Sequence, residues 1–355
     1  MTDTAIVPRG EGDGVRGAWL DLKAAEPHIR ARDAAERLGV SEAELVAARL
    51  GDGVRRLQPR WAELLTALPS LGEVMTLTRN DYAVHEKTGA FGNVSVNGHV
   101  ALVLNQDIDL RLFLGRWAHV FAVEEETRSG PRSSLQIFGA DGSAIHKIYV
   151  TDRTDRRAFD ALVAGFLDHG SGTSPGILPA EAETVDRPDS LVDVARLHTE
   201  WDALKDTHDF VFLLKRLAVG RVQALRLAGA QRAIAVPAPT FRNALIAAAE
   251  RDVPIMVFVG NRGAIQIHTG PVRTLKALGP WFNVLDPGFN LHLMETGIAT
   301  AWIVRKPTAD GTVTSVEIYD SAGTPIAQMF GKRKPGLPER EDWRALVESL
   351  SGAPA

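Results

Sequence analysis

A histidine set in a helix-start pattern is the first residue of this sequence with a claim on chemistry. Asp206-Thr207-His208-Asp209 reads as the opening of a helix, with Asp206 or Thr207 as N-cap and Asp209 in the first turn. Trp201, Leu204, His208 and Val211 recur at helical spacing, which places the imidazole on a face with apolar neighbours. The positive end of a helix dipole disfavours an imidazolium by about 0.3–1 kcal/mol. That is under one pKa unit, but its sign favours the neutral ring that a metal needs. The competing reading is a partly buried histidine whose ring nitrogens are satisfied locally. His85 and His99, in the strand-like segments 82–87 and 96–104, are alternative ligands or ordinary strand histidines.

Arg111 is the second candidate. In Asp109-Leu110-Arg111-Leu112-Phe113-Leu114 the leucines take one strand face, and Arg111 shares the other with Phe113. Such an arginine is either a solvated residue stacked on a ring or a fixed cation over a ligand pocket. Further cations are Lys215, Arg216 and Arg221 beyond His208, Lys306 before a hairpin, and Arg333 after the last strand. Met256 and Phe258 alternate on one strand face, where a core role is the ordinary expectation.

Several chemistries are excluded or weakened by composition and by missing motifs. The 355 residues contain no cysteine, which removes disulfides, thiolate metal sites, iron–sulfur clusters and cysteine nucleophiles. Forty Lys and Arg against 44 Asp and Glu give a net charge of −4, with no basic excess for nucleic acid or an anionic membrane. No apolar run is long enough to span a bilayer, and the first residues carry no apolar signal-peptide core, so a cytoplasmic protein without membrane insertion is expected. No GxxxxGK[ST], no GxGxxG opening a helix, no HExxH and no GxSxG occurs. Gly260-Asn261-Arg262-Gly263 reads as a strand-end turn rather than a phosphate loop.

The elements that must position these residues come in two copies. At an offset of 181, Asn80 meets Asn261, Thr88-Gly89 meets Thr269-Gly270, Leu110 meets Leu291, Val123 meets Val304, Gly142 meets Gly323 and Ile145 meets Ile326, without a gap. A period this long means paired domains rather than a solenoid. Arg111 meets His292, so the copies diverge in chemistry where they agree in framework, which favours one site. Each copy reads as helices followed by short strands. In the second, 198–217 and 238–250 carry helical spacing and 254–260 begins a strand. Ala309-Asp310-Gly311 and Ser321-Ala322-Gly323 mark hairpins, matched by Arg128-Ser129-Gly130 and Ala140-Asp141-Gly142. Strands joined by tight turns imply an α+β fold with antiparallel sheets. The Gly-, Ser- and Pro-rich stretch 169–190 separates an N-terminal repeat, 1–168, from a C-terminal repeat, 191–355.

The chain resembles the bacterial haemin-degrading and haem-trafficking proteins of the HemS/ChuS/HmuS type. The matching segments are Asn80-Asp81-Tyr82-Ala83-Val84-His85-Glu86, Asn97-Gly98-His99, Leu110-Arg111-Leu112-Phe113-Leu114, Thr207-His208-Asp209-Phe210 with LLKR following, IMVFVGNRG at 255–263 and RKPTADG at 305–311. They cover nearly the whole chain beyond the first dozen residues. The resemblance implies a duplicated fold of two stacked antiparallel sheets, with one haem (haem b) held in a cleft of the C-terminal half. It makes His208 the axial iron ligand and puts Arg111 over the opposite haem face. Arg221, Lys306 and Arg333 match positions at the propionates or the pocket rim. Phe113, Met256, Phe258 and Gln328 match its walls. Where the family often has QLYG, this chain has Gln328-Met329-Phe330-Gly331, so Phe330 lacks a hydroxyl at that wall.

Those residue types suit haem on general grounds. An apolar disc with two carboxylates needs aromatic and thioether walls plus a few cations, each charge-assisted contact being worth about 1.5–3 kcal/mol. A neutral imidazole is the usual cysteine-free anchor for its iron, and an arginine opposite can stabilise developing negative charge. Two functions then follow from the resemblance. One is an enzyme of haem uptake and iron acquisition that opens the macrocycle with electrons from an external donor. The other is a carrier that takes haem from importer components and passes it to a separate haem oxygenase.

Overall fold

The duplication is written into the strand limits of the computed structural model, which describes residues 12–127, 130–170, 175–181, 185–334 and 336–351. The first repeat opens with α1 (Gly12–Ala25), α2 (Ala31–Leu38) and α3 (Glu42–Ala47), followed by β1 (Val54–Leu57) and α4 (Trp61–Ala67). Eight strands come next: β2 (Gly72–Arg79), β3 (Ala83–Ala90), β4 (Val94–Asn97), β5 (Val100–Leu104), β6 (Asp109–Phe113), β7 (His119–Thr127), β8 (Gly130–Phe138) and β9 (Ala144–Thr154). Helix α5 (Arg156–Phe166) closes the repeat.

The second repeat has α6 (Val194–Asp202), α7 (Asp209–Leu217), α8 (Arg221–Leu227), β10 (Ala233–Val236) and α9 (Thr240–Glu250). Its strands are β11 (Ile255–Gly260), β12 (Ala264–Gly270), β13 (Leu275–Leu278), β14 (Trp281–Asp286), β15 (Phe289–Met294), β16 (Thr300–Thr308), β17 (Gly311–Tyr319) and β18 (Pro325–Gly331), and α10 (Glu341–Ser351) ends it. Strands β7 and β8 recur as β16 and β17 at the offset of 181 read from the sequence.

The fold is α+β with two nine-stranded sheets. Their strand orders are β1-β7-β8-β9-β2-β3-β15-β14-β13 and β10-β16-β17-β18-β11-β12-β6-β5-β4. The second order is the first with every strand replaced by its duplicate. The compact units therefore do not follow the chain simply. One comprises Met1–Thr78, Lys87–Glu181 and Asn261–Ile265, the other Arg79–Glu86, Ala182–Gly260 and Gln266–Ala355. Each is built mainly from one repeat plus a short segment of the other. The long segments part within the stretch 169–190, of which 171–174 and 182–184 lie outside the described residues, as do Arg128 and Ser129 of one expected hairpin turn and the N-terminal residues 1–11.

The duplicated asparagines tie these short segments down in the same way. In the second unit Asn80 Oδ1 accepts from the Tyr82 and Ala83 N–H groups, while its Nδ2 donates to the Ile326 carbonyl at 2.8 Å. In the first, Asn261 Oδ1 accepts from Gly263 and Ala264, and its Nδ2 donates to the Ile145 carbonyl at 2.8 Å. Gly260-Asn261-Arg262-Gly263 is thus the strand-end turn expected, between β11 and β12.

In the second unit, alternation along the strands sorts two faces. Ile255, Val257, Val259, Val316, Ile318 and Met329 point into a core completed by α9 and α10. On the other face, Trp302, Val304 and Tyr319 pack under α6, α7 and α8 through Trp201, Phe210 and Leu213. Trp201 is fully buried, lies edge-on to Phe210 with centroids 4.6 Å apart, and donates its Nε1–H to the Arg305 carbonyl. In the first unit, α4 and α5 pack on β7–β9 through Leu64, Leu65, Phe159 and Val163. No helix among the described residues is long and apolar enough to cross a membrane.

The expected helical run 198–217 is broken. Helix α6 stops at Asp202, and α7 starts only at Asp209. Trp201, Leu204, His208 and Val211 therefore do not share one face. Trp201 and Leu204 are buried, whereas His208 and Val211 are exposed. The loop 203–208 is tied to the neighbouring hairpin, where the Ala309 N–H donates to the Lys205 carbonyl at 2.9 Å.

Candidate functional site

His208 is the N-cap residue of α7, one or two positions later than the sequence pattern places the cap. Asp206 still does capping work, since its Oδ1 accepts the His208 backbone N–H at 2.8 Å. The same oxygen lies 2.6 Å from His208 Nδ1. A carboxylate only accepts, so Nδ1 carries the proton and Nε2 is left with its lone pair. The imidazole is 82% exposed, and Nε2 faces outward from an anchored ring. The carboxylate–imidazole arrangement is the one that orients metal-binding histidines and raises their basicity. The hydrogen bonds from the His208 backbone N–H and ring, with the nearby charge of Arg333, hold the Asp206 carboxyl below its usual range against the cost of its partial burial.

Arg333 lies just past β18 and pairs with Asp310 at 3.3 Å, while Asp310 also accepts the Gly336 N–H. Asp310 is in the β16–β17 hairpin, so that hairpin, Arg333 and the His208 loop meet at one end of the sheet.

The sheet face beside them carries the other residues singled out from the sequence. Met256 opposes Phe330 and Phe258 opposes Gln328 across β11 and β18. All four are half-buried, and they alternate with fully buried core residues. Phe258 and Phe330 meet edge-on with centroids 5.1 Å apart. Met256 and Phe258 are therefore not on the core face that is the ordinary expectation for such residues. Gln328 opposes Glu317 on β17, which brings the strip up against a group of charges.

Arg221, Lys306 and Gln328 are singled out from the sequence; the residue at their centre, Glu317, is not. Glu317 has no exposed surface and sits among five donors. Its Oε1 accepts from Lys306 Nζ at 2.6 Å and Ser315 Oγ at 2.8 Å. Its Oε2 accepts from Gln328 Nε2 at 2.8 Å, from the Tyr319 hydroxyl, and from Arg221 Nη1 at 3.4 Å. Burial opposes ionisation of this carboxyl, but Lys306 and Arg221 outweigh it and pull the group down to about 2. Lys306, 3% exposed, has its ammonium 4.8 Å from the centre of the Phe210 ring, and Arg221 lies 5.3 Å from it. Desolvation presses the Lys306 ammonium down from its usual range, and Glu317 opposes that. The signal in the sequence is one acidic residue inside the apolar strand TVTSVEIY.

The same positions of the first repeat carry the opposite charges. Helices α3 and α8 begin at the same distance ahead of β1 and β10, which matches Glu42 to Arg221. At the offset of 181, Glu125 matches Lys306, Asp152 matches Arg333, Gln136 matches Glu317 and Lys147 matches Gln328. Lys147 there donates to Glu42 in a buried pair, and Gln136 donates to Ser134. Three cations have become three carboxylates on one framework. The second repeat thus gathers cations where the first gathers carboxylates.

The remaining candidates divide plainly. Arg111 and Phe113 are half-buried on the β6 face opposite the buried Leu110 and Leu112, as the alternation predicts, and Arg111 pairs with Asp109 in the first unit. His292 hydrogen-bonds Asn283 at 2.7 Å. His85 is fully buried in the core of the second unit, its Nδ1 3.0 Å from Gln266 Nε2 and its ring 4.8 Å from that of Phe289. His99 is not in a strand. It sits exposed in the turn between β4 and β5 after Gly98, whose φ of 57° suits glycine. Arg216 pairs with Glu200 and Lys215 is exposed on α7. A hollow of about 290 Å³ at the far end of α7, lined by Arg187, Val192, Arg196, Arg216 and Leu217, shares no residue with the Glu317 cluster.

The residues fit a haem. An imidazole with a fixed proton and an open Nε2, a half-buried thioether and aromatic strip, and a net positive cluster beside it are the parts that an iron, an apolar disc and carboxylates require. The chain belongs to the haemin-degrading HemS.ChuX domain family, whose domain matches residues 39–166 and 218–350, once in each repeat. It is 43% identical over 333 residues to the hemin transport protein HmuS of Yersinia pestis, covering 94% of this chain and 96% of that one. The structure is similar to that of holo-PhuS, a heme-binding protein from Pseudomonas aeruginosa, with a TM-score of 0.94, 50% identity and coverage of 96% and 99%. It also resembles the heme degrading enzyme ChuS of Escherichia coli O157:H7, with a TM-score of 0.89, 41% identity and coverage of 96% and 99%.

Proposed function

We propose that this protein binds one haem, haem b, in its C-terminal repeat through His208, and degrades it oxidatively to release iron. The observation that carries the reading is the single end of one sheet at which His208, its Asp206 partner and Arg333 adjoin the Met256, Phe258, Phe330 strip and the Arg221, Lys306, Gln328 cluster. Asp206 holds the imidazole proton at Nδ1 and so keeps Nε2 available to iron. The strip supplies apolar surface to the macrocycle, and the partly exposed Arg221 and Arg333 take its propionates, with Lys306 buried against Glu317. Bound haem supplies the redox chemistry, with electrons from an external donor and with dioxygen or peroxide. The chain's own residues anchor and orient it. The parts assigned to Arg111 and Phe113 rest on the family resemblance. In this reading the protein works in the cytoplasm, in haem uptake and iron acquisition.

A carrier reading is favoured by the names hemin transport protein and heme-binding protein borne by two of the relatives. It would receive haem from importer components and deliver it to a separate haem oxygenase. Both readings use the same gripping residues. Adding ascorbate and then a reductase system to the haemin complex, in air with catalase present, separates them. Soret decay with release of chelatable iron is expected for the enzyme. A Soret band that persists under both reductants contradicts turnover and leaves the carrier.

A further inference from the structure

We propose that Glu317 is a positioning residue that sets the protein's preference for a free carboxylate on its ligand, an inference that rests on the haem reading above. Lys306, matched by resemblance to the propionates, is almost wholly buried and its ammonium is committed to Glu317 at 2.6 Å. Whatever Lys306 does for a ligand carboxylate passes through that residue. Arg221 and Gln328 are the partly exposed members of the cluster, and each gives one N–H to Glu317 Oε2. The buried carboxylate thereby fixes one edge of the guanidinium and one hydrogen of the amide. Gln328 stands opposite Phe258 at the edge of the aromatic strip, and the Arg221 guanidinium lies 5.3 Å from the Phe210 ring. The cluster of Arg221, Lys306 and Glu317 carries a net charge of +1, the complement of one carboxylate.

The first repeat shows that the glutamate is not a requirement of the fold. The same strand, in the same place, is built with Gln136 where Glu317 stands and with Phe138 where Tyr319 stands, and Gln136 is equally buried beside a serine. Glutamine thus fits this position of the strand, there with Glu125 in place of Lys306.

The test uses the full chain with metal-free protoporphyrin IX and its dimethyl ester, which differ only at the carboxylates, and haemin to report iron ligation. Wild type is expected to bind the free acid at least tenfold more tightly than the ester. Glu317→Gln should lower that ratio about tenfold, close to the loss of one charge-assisted contact at about 1.4 kcal/mol per decade. The haemin spectrum should keep its imidazole-ligated form. Tyr319→Phe, which removes one donor to Glu317 and keeps the charge, should lower the ratio in the same direction by less. Equal losses for acid and ester, which a merely structural role produces, would overturn the inference. So would an unchanged or increased acid preference in Glu317→Gln. Wild type that binds no haemin at all would remove the haem reading, an outcome distinct from haemin binding without carboxylate preference.

Discussion

Asp206 is where the ligand reading of His208 is most exposed to test. One oxygen of this carboxylate holds both the His208 backbone N–H at 2.8 Å and the ring Nδ1 at 2.6 Å. Asp206→Ala removes both. The ring is then free to rotate and to place its proton on either nitrogen, so only part of the population presents Nε2 as a lone pair. Loss of such an orienting partner typically lowers metal affinity 10–100-fold. Both side chains are well exposed, and solvent weakens the pair, so the lower end, about tenfold, is expected. Asp206→Asn should fall between, because its amide oxygen still accepts the backbone N–H but its amide hydrogens also favour the wrong tautomer. Haemin affinity would be measured by Soret titration, with imidazole ligation followed in the spectrum and the urea midpoint as a control for folding. An Asp206→Ala protein that binds haemin with wild-type affinity and spectrum, while His208→Ala does not, would refute the orienting role.

Other consequences follow from the same structure. Arg111→Ala should keep haemin binding and slow its degradation in the reductant assay; unchanged turnover would count against a part in the chemistry. Trp201→Ala, which empties a fully buried site under α7 and strands the Arg305 carbonyl, should cost about 3–5 kcal/mol in urea unfolding. His146 is fully buried, its Nδ1 2.8 Å from Thr78 Oγ1, and burial pushes the ring down to about 3. It stays neutral when folded but takes a proton when unfolded below about 6.5, so its contribution is intact above that pH and lost as pH falls toward 3. The loss is about 2 kcal/mol between pH 7 and pH 5. Thr78→Val with His146→Ala, which copies Val259 and Ala327 at the same positions of the second repeat, should lose that much less over the interval. An identical pH slope in both proteins would contradict the assignment.

The repeat, the hairpins and the α+β class were legible because each is local or self-referential. A fixed offset and Gly-containing turns need no knowledge of distant contacts, and the alternation at 109–113 places Arg111 and Phe113 on one face unaided. The exchange of strands between the two sheets was not legible, since period-two patterning says which face a strand buries but not which strand it joins. Helical spacing runs straight through 203–208, because Leu204 is buried although it lies in the loop, and the hydrogen bond from Ala309 to the Lys205 carbonyl has no signal in one dimension. His99 was misplaced by reading the apolar run over Asn97-Gly98, a hairpin signal in its own right. Glu317 escaped notice because a lone carboxylate in an apolar strand shows no partners in one dimension. Its five donors come from a helix and three strands.

The central claim is that His208 anchors haem in the second repeat, and a visible-spectrum titration with haemin tests it most directly. A saturable Soret shift complete at one equivalent in the wild-type chain, and absent in His208→Ala, is the predicted result. A shift of the same size and midpoint in His208→Ala would move the iron to another ligand, and no shift in either protein would contradict the account.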